Sequence, residues 1–434
     1  MGEWIGAAEA AQRLGVKPAT LYAYVSRGVL RRRRGADGRS SLFDPAEIAG
    51  LADRSQPRRP AATAGIVIES AVTEISDGPL RYRGLDVTQL ALWRPFEDVA
   101  EWLWSGSPRK ESPPSWQNTA WQATAEAVAA GTAAQAALPP GTLPLERLQV
   151  IVPAMAATDR LRLHLDPPAV AAAGRSIIAG MIDCLPSSAP GASALPPVPP
   201  APVSSGSPAK GTAASALGQG GLAGRLWYKI CGRRPDPGLL GALRAALGLL
   251  ADHELASSTF AARVAASVRA DPYAVVSTGL GALGALDALG GGSLSAEGML
   301  ALAREPGDAA RVVGDQLRRG GRLSGFGGFG DGGTDPRAAL LLDLIRKAAP
   351  RSARYAAAAA VLTEVRRRAL PEPNIDFALA VLASVAGMIP GAGEAIFAVA
   401  RTAGWIAHAL EEYARDVPLR PRTVYTGPLG HQGP

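Results

Sequence analysis

A mainly α-helical fold is what this sequence predicts, on three observations. Alanine- and leucine-rich stretches such as residues 353–370 and 377–388 have helical length and composition, while aromatic residues make up only 5% of the chain. β-branched runs such as residues 66–72 are isolated and lack the regular alternation of half-buried strands. The 434 residues are enough for one large core and a small appendage. No apolar run reaches the ~18–20 uncharged residues that span a bilayer. The opening MGEWIGAAEAA lacks a basic segment followed by an apolar core. A cytoplasmic protein with no membrane partner is therefore expected. Cys184 and Cys231 lack metal-ligand spacing and read as small buried hydrophobes. No metal or cofactor is expected.

Charge marks the appendage. Residues 1–60 hold 11 Lys/Arg against 6 Asp/Glu, a net +5 of the chain's +7. Ile5, Ala8, Ala11 and Leu14 have helical spacing and lead to a Gly15-Val16 turn. Pro18 suits the first turn of a second helix with Leu21 and Val25 inward, and Thr20, Tyr22, Tyr24 and Arg27 outward. Gly28 ends that helix. Arg31, Arg32, Arg33 and Arg34, with Arg39, flank a Gly-Ala-Asp-Gly turn, and Phe43-Asp44-Pro45 opens another helix. Helix, turn, helix and basic two-stranded wing resemble small MerR or excisionase-like DNA-binding modules over residues 1–54. In that resemblance the second helix, with Thr20, Tyr22 and Arg27, enters a major groove, and Arg31 to Arg34 meet phosphates. A protein-interaction cap with solvated arginines fits the same residues. One copy offers a small footprint, so DNA binding would require a dimer. Residues 55–64, rich in proline and arginine, read as a linker.

The main body carries four motifs and two further arginines. Leu250-Ala251-Asp252-His253-Glu254 precedes Ser258-Thr259-Phe260-Ala261-Ala262-Arg263. Residues 281–293 read GALGALDALGGGS, and residues 325–337 read GFGGFGDGGTDPR, six of whose thirteen residues are glycine. Asn374-Ile375-Asp376-Phe377 follows, then Arg401-Thr402-Ala403-Gly404-Trp405-Ile406-Ala407-His408 and Arg420-Pro421-Arg422-Thr423-Val424-Tyr425. The body opens with Gly65-Ile66-Val67 and Leu80-Arg81-Tyr82-Arg83-Gly84-Leu85-Asp86. From there to Pro428 the chain resembles bacterial citrate synthases. Residues 185–211, rich in Pro, Ser and Ala, stand outside the likeness and read as a flexible insertion.

The resemblance implies roles. His253 would bind a carboxylate of oxaloacetate, and its two acidic neighbours suggest a protonated ring. Arg337, in the Asp-Pro-Arg, and Arg401 would hold carboxylates bidentately. Arg420 would do so from the partner subunit of a homodimer. Asp376 would be the base that takes a proton from the acyl methyl group, a carboxylate that must be partly desolvated; at a helix start it also suits an N-cap. His408 reads as structural. Two family histidines are missing. The one that polarises the ketone falls on Gly328. The one that stabilises the thioester enol falls on Ala288, or on Leu289 when the glycines are aligned.

The fold implied is all-α, with a large helical domain from 65–280 and 389–434 and a smaller one, 281–388, closing over the cleft. The function implied is condensation of acetyl-CoA or propionyl-CoA, as substrate, with oxaloacetate, weakened by the missing histidines. A non-catalytic binder of oxaloacetate, citrate or CoA that reports through a DNA-binding module is the alternative.

Overall fold

The computed structural model describes residues 4–14, 21, 25, 30–35, 40–45, 47–48, 67–75, 79–106, 121–188, 221–283, 292–320, 323–327, 334–415, 417–421 and 423. The chain forms two compact units, Met1–Glu69 and Ser70–Pro434.

In the first unit a short strand β1 (Ile5–Gly6) leads into helix α1 (Ala7–Leu14). Strands β2 (Arg32–Arg34) and β3 (Ser41–Phe43) pair antiparallel, and β1 joins the other edge of β3, giving the order β1-β3-β2. Ile5, Ala10, Ala11, Leu21, Leu30, Phe43 and Ile48 make a small core. The sequence put Ile5 and Ala8 on one helical stripe; instead Ile5 is extended and Ala8 is exposed. Sheet pairing with Phe43 outweighs a short periodicity there. Arg32 and Arg34 share one exposed strand face, while Arg33 alternates to the other and lies over the Trp4 ring at 5.8 Å. Arg31 donates to Glu47 Oε1 at 2.5 Å. Of the expected second helix, Leu21 is described as helical and buried in this core and Val25 as helical and packed against it, while Thr20, Tyr22 and Arg27, like the expected linker, lie outside the described residues.

The second unit is helical apart from one small sheet. Strands β4 (Thr73–Glu74), β5 (Arg81–Tyr82) and β6 (Leu85–Asp86) form an antiparallel meander. Arg83 at φ 45° and Gly84 at φ 83° make the two-residue turn between β5 and β6. The sheet buries Tyr82, whose hydroxyl lies 3.0 Å from the carbonyl of Leu249 and accepts from the Asp252 amide at 3.0 Å. Helices α2 (Val87–Trp93), α3 (Phe96–Ser105), α4 (Ala125–Ala136), α5 (Pro144–Ala156), α6 (Pro167–Cys184), α7 (Leu222–Ile230) and α8 (Pro237–Leu250) follow. Then come α9 (Ser257–Ser267), α10 (Pro272–Leu283), α11 (Gly292–Leu302), α12 (Ala309–Gly320), α13 (Pro336–Ala348), α14 (Ala353–Arg367), α15 (Ile375–Ala386) and α16 (Ala392–Ala414).

Helix α16 is the axis of this unit. Its 23 residues span about 34 Å, and α3, α5, α6, α8, α9, α10, α11 and α15 pack on it. Small residues let the backbones meet: a Cβ on Gly404 would lie 2.5 Å from the Ala251 carbonyl oxygen. That contact brings the end of α8 onto the middle of α16. At the start of the expected Pro-rich insertion, Leu185 is buried in the core and Ser188 Oγ donates to the Lys229 carbonyl; residues 189–220 lie outside the described residues.

Candidate active site

Four of the expected residues converge where α8, α13, α15 and α16 meet. His253 lies just past the end of α8. Asp335 caps α13, its Oδ1 accepting from the Arg337 amide at 3.0 Å. Asn374 caps α15, accepting from the Asp376 amide at 3.0 Å and the Phe377 amide at 3.4 Å. Arg401 projects from the buried stretch of α16. Capping of α15 is thus done by Asn374, which leaves the Asp376 carboxyl for the site.

The glycine-rich loop is strapped to the segment that carries Asp376. Gly325 accepts from the Asn374 amide at 2.9 Å, Gly327 donates to the Glu372 carbonyl at 2.8 Å, and Asn374 Nδ2 donates to the Gly327 carbonyl at 3.0 Å. Gly325 has φ +84°, and a Cβ there would sit 3.0 Å from the Phe377 amide nitrogen. Only glycine allows this left-handed turn and close approach. The Phe326 and Phe377 rings then meet tilted, with centroids 4.7 Å apart. Gly328, Ala288 and Leu289 lie outside the described residues.

Arg337 is buried, and its fork grips Asp335: Nε to Oδ1 at 3.0 Å and Nη2 to Oδ2 at 2.9 Å. Burial works against its charge, but Asp335 outweighs it and keeps the guanidinium firmly protonated. Asp335 Oδ2 also accepts from the Ile375 amide at 3.0 Å, which ties α13 to the start of α15. Arg401 is held differently. Its Nε donates to the Leu250 carbonyl at 2.9 Å, and its guanidinium lies 4.5 Å over the Phe397 ring. Its Nη1 and Nη2 are buried without a hydrogen-bond partner among the described residues. Burial lowers its pKa to about 10 despite Asp252 and Tyr82 nearby. A guanidinium with two unused, desolvated donors is poised for a carboxylate.

Asp376 is the titratable centre. Burial raises its pKa to about 6, against the pull of Arg337 and Arg401 and with Asp335 adding to the rise. That is the tuning a general base needs near neutral pH.

His253 corrects an expectation. Burial, then Arg337 and Arg401, push its pKa well below the ordinary value, so the ring is neutral. Asp252 pulls the other way but is outweighed. Asp252 turns inward, where its Oδ2 accepts from Thr73 at 2.5 Å and from the Glu254 amide at 3.1 Å and meets His408 Nε2 at 3.2 Å. Burial alone would raise the Asp252 carboxyl, but His408, Arg401 and Thr73 hold it at about 2. Glu254 is exposed at φ 51°.

His408 is structural, as its sequence setting suggested. Arg263 Nη1 faces its Nδ1 at 2.7 Å; since arginine only donates, Nδ1 accepts and Nε2 carries the proton toward Asp252. Arg263, fully buried, also bonds Glu411 at 2.7 Å and Glu412. This network braces the turn bearing His253. Its signal was present in the sequence as His408, Glu411 and Glu412 on one helical face.

Arg420 stands apart. It is exposed in the tail, where the neighbouring Leu419 amide donates to Ser267 Oγ at 3.1 Å. Ser267 ends α9, and 11 residues place it about 16 Å from the helix start that follows His253.

The family model described as the citrate synthase C-terminal domain matches residues 62–422. The chain belongs to the citrate synthase family. Among curated relatives, citrate synthase 2 of Bacillus subtilis is 34% identical over 212 residues, 48% of this chain and 56% of that protein. A putative citrate synthase 2 of Mycobacterium bovis is 39% identical over 204 residues, 45% of this chain and 53% of that protein. The chain thus spans about half the length of the curated relatives it matches. In fold it is similar to the citrate synthase of Pyrobaculum aerophilum, with TM-score 0.66 and 22% identity over 93% of this chain and 96% of that one. It is also similar to that of Thermoplasma acidophilum, solved as a ternary complex with carboxymethyl coenzyme A and oxaloacetate, with TM-score 0.64 and 22% identity over 85% and 96% of the two chains. Among the described residues, no helix is long and apolar enough to cross a membrane.

Proposed function

We propose that this citrate synthase family member condenses acetyl-CoA or propionyl-CoA with oxaloacetate to a citrate-type tricarboxylate, with a slowed chemical step. The observation that carries the reading is the pairing of Arg401, whose two buried Nη donors lack partners among the described residues, with Asp376, poised at about 6. Arg401 takes a carboxylate of oxaloacetate, with Arg337 and neutral His253 beside it. Asp376 removes a proton from the carbon next to the thioester carbonyl, that carbon bonds to the ketone carbon, and water cleaves the thioester to release CoA. Closure of residues 281–388 over the cleft excludes water, and Arg420 of a second subunit completes the carboxylate site in a homodimer.

Gly328 and Ala288 or Leu289 offer no side chain to polarise the ketone or the enol. An absent general acid costs ~10²–10⁴-fold and an absent oxyanion donor ~10²–10³-fold. Because both act on one transition state, the losses need not multiply. The test is thiol release from each thioester with oxaloacetate present. Slow release that requires both substrates and disappears in Asp376→Asn is expected. Release no faster than that variant, with either thioester, refutes the reading.

The bare histidine positions favour a second reading, in which the site binds oxaloacetate, citrate or CoA without turnover and the basic residues 1–54 bind DNA as a helix-turn-helix. Ligand-dependent, salt-sensitive DNA binding by a protein with no thiol release would select it.

A further inference from the structure

The condensation needs an acid at the thioester oxygen, and the structure offers a carboxyl group that no sequence motif flagged. Glu394 sits in the first turn of α16. Seven residues separate it from Arg401, so the two lie within about 20° of one another around the helix and about 10 Å apart along it. Phe397, whose ring lies under the Arg401 guanidinium, is between them on the same face. That spacing matches the reach needed for an oxo acid's carboxylate at one end and a thioester carbonyl at the other.

The other side of Glu394 is the end of the loop that lost its histidine. Residues 284–291 lead directly into α11, whose first turn is pressed onto α16. A Cβ on Gly393 would lie 2.6 Å from Ser293 Oγ, and a Cβ on Gly292 would lie 3.5 Å from Glu394 Oε1. Gly292 follows the position aligned with the missing enol-stabilising histidine by three or four residues in sequence. Its half-buried carboxyl has no hydrogen-bond or ion-pair partner among the described residues. The N-terminus of its helix is taken instead by Glu297, whose carboxylate accepts from the Gly391 amide at 2.8 Å and the Gly393 amide at 3.0 Å.

Resting on the condensation reading above, we propose that Glu394 is the acid of this reaction, giving its proton to the thioester carbonyl oxygen while Asp376 withdraws one from the adjacent carbon. The C–H bond breaks, its electron pair forms the enol double bond, and its proton passes to Asp376. The carbonyl π pair takes the Glu394 proton. When the enol carbon bonds to the ketone carbon, the thioester carbonyl re-forms and the proton returns to Glu394, while the ketone oxygen takes a proton from a water that Asp376 reprotonates, which leaves Asp376 ionised again. A carboxyl from a different helix thus fills the place of the histidine.

The surroundings keep Glu394 protonated near neutrality. Burial raises its pKa to about 7, helped by Glu297 on α11, Asp376 on α15 and Glu146 on α5. The nearest cation on its own helix face is Arg401, two turns on. The reactive form, with Glu394 protonated and Asp376 ionised, is most populated between pH 6 and 7.

The test compares Glu394→Ala and Glu394→Gln in the full chain by thiol release across pH 5 to 9, with oxaloacetate binding by calorimetry as the control for folding. Glu394→Ala is expected to lower kcat about 100-fold, with oxaloacetate affinity retained. Glu394→Gln, whose amide still donates, is expected to keep kcat within about tenfold and to lose the alkaline limb near pH 7. A wild type that turns over while Glu394→Ala stays within about threefold of it overturns this inference alone. A wild type no faster than Asp376→Asn overturns the condensation reading, and the role of Glu394 with it.

Discussion

Replacing Arg401 by methionine should stabilise the empty protein while removing its response to oxaloacetate. The unoccupied site holds a desolvated cation. Its pKa of about 10 lies far below a guanidinium's ordinary value; at 1.36 kcal/mol per pH unit the burial of that charge costs about 3 kcal/mol. The folded state holds this proton less tightly than the unfolded chain, so the cost is fully present at pH 7 and fades only above pH 10. Methionine gives up the Nε bond to the Leu250 carbonyl, about 1 kcal/mol, and part of the contact with Phe397. The net gain is about 1–2 kcal/mol. At about 2.1 cal/mol/K per residue, the unit Ser70–Pro434 has an unfolding entropy of about 0.8 kcal/mol/K, so Tm rises by about 1–3 °C. Oxaloacetate at 100 times its Kd stabilises the wild type by about 2.7 kcal/mol, or about 3–4 °C. R401M should show none of that shift. Scanning calorimetry at pH 7 with and without oxaloacetate measures both quantities. An empty R401M that melts more than about 2 °C below wild type, or one that keeps the ligand shift, refutes the assignment of Arg401 as an unpaired carboxylate receptor.

Two further substitutions separate positioning from framework. Gly325→Ala forces a side chain into φ +84° and to within 3.0 Å of the Phe377 amide nitrogen, which displaces the start of α15 and Asp376 with it. A 1 Å displacement should lower kcat by about 100-fold, read by thiol release, and an unchanged kcat would show that the strap does not position the base. Arg263→Met leaves Glu411, Glu412 and His408 without their buried cation. The expected cost is about 3–5 kcal/mol, a fall in Tm of about 4–6 °C by calorimetry, and a smaller loss indicates that the two carboxyls find other partners.

The fold was legible where side-chain pattern and backbone agree. The alanine-rich stretch 353–370 contains α14, and 377–388 falls largely within α15. Legibility failed at Ile5, where strand pairing with Phe43 overrides a helical spacing. In the site, the family resemblance sufficed to put His253, Arg337, Asp376 and Arg401 together. It did not reveal their charge states. Of the acids next to His253 in sequence, Asp252 pulls its pKa up, but burial and the arginines of α13 and α16, far along the chain, outweigh it. Glu394 was invisible for the same reason: its meaning depends on Gly292 and Asp376, which sequence separates by about a hundred residues or less but does not place.

The electrostatics of the four residues also couple binding to base strength. Burial raises Asp376, while Arg337 and Arg401 lower it, and the two effects settle at about 6. Arg337 is already matched by Asp335. Arg401 is the cation whose charge a substrate carboxylate can cancel. Once oxaloacetate occupies it, one of the two forces lowering Asp376 is gone and the carboxyl moves up. The base becomes stronger when the oxo acid is in place, and weaker in an empty site, where deprotonating a thioester would waste it. The expected rise is about one pH unit, the low end of what a nearby opposite charge gives. It is measurable without structural work. The acidic limb of kcat/KM for oxaloacetate reports the empty site and should lie near pH 6; that of kcat/KM for the thioester at saturating oxaloacetate reports the loaded site and should lie near 7. Limbs that coincide would mean that the carboxylate is held elsewhere than on Arg401.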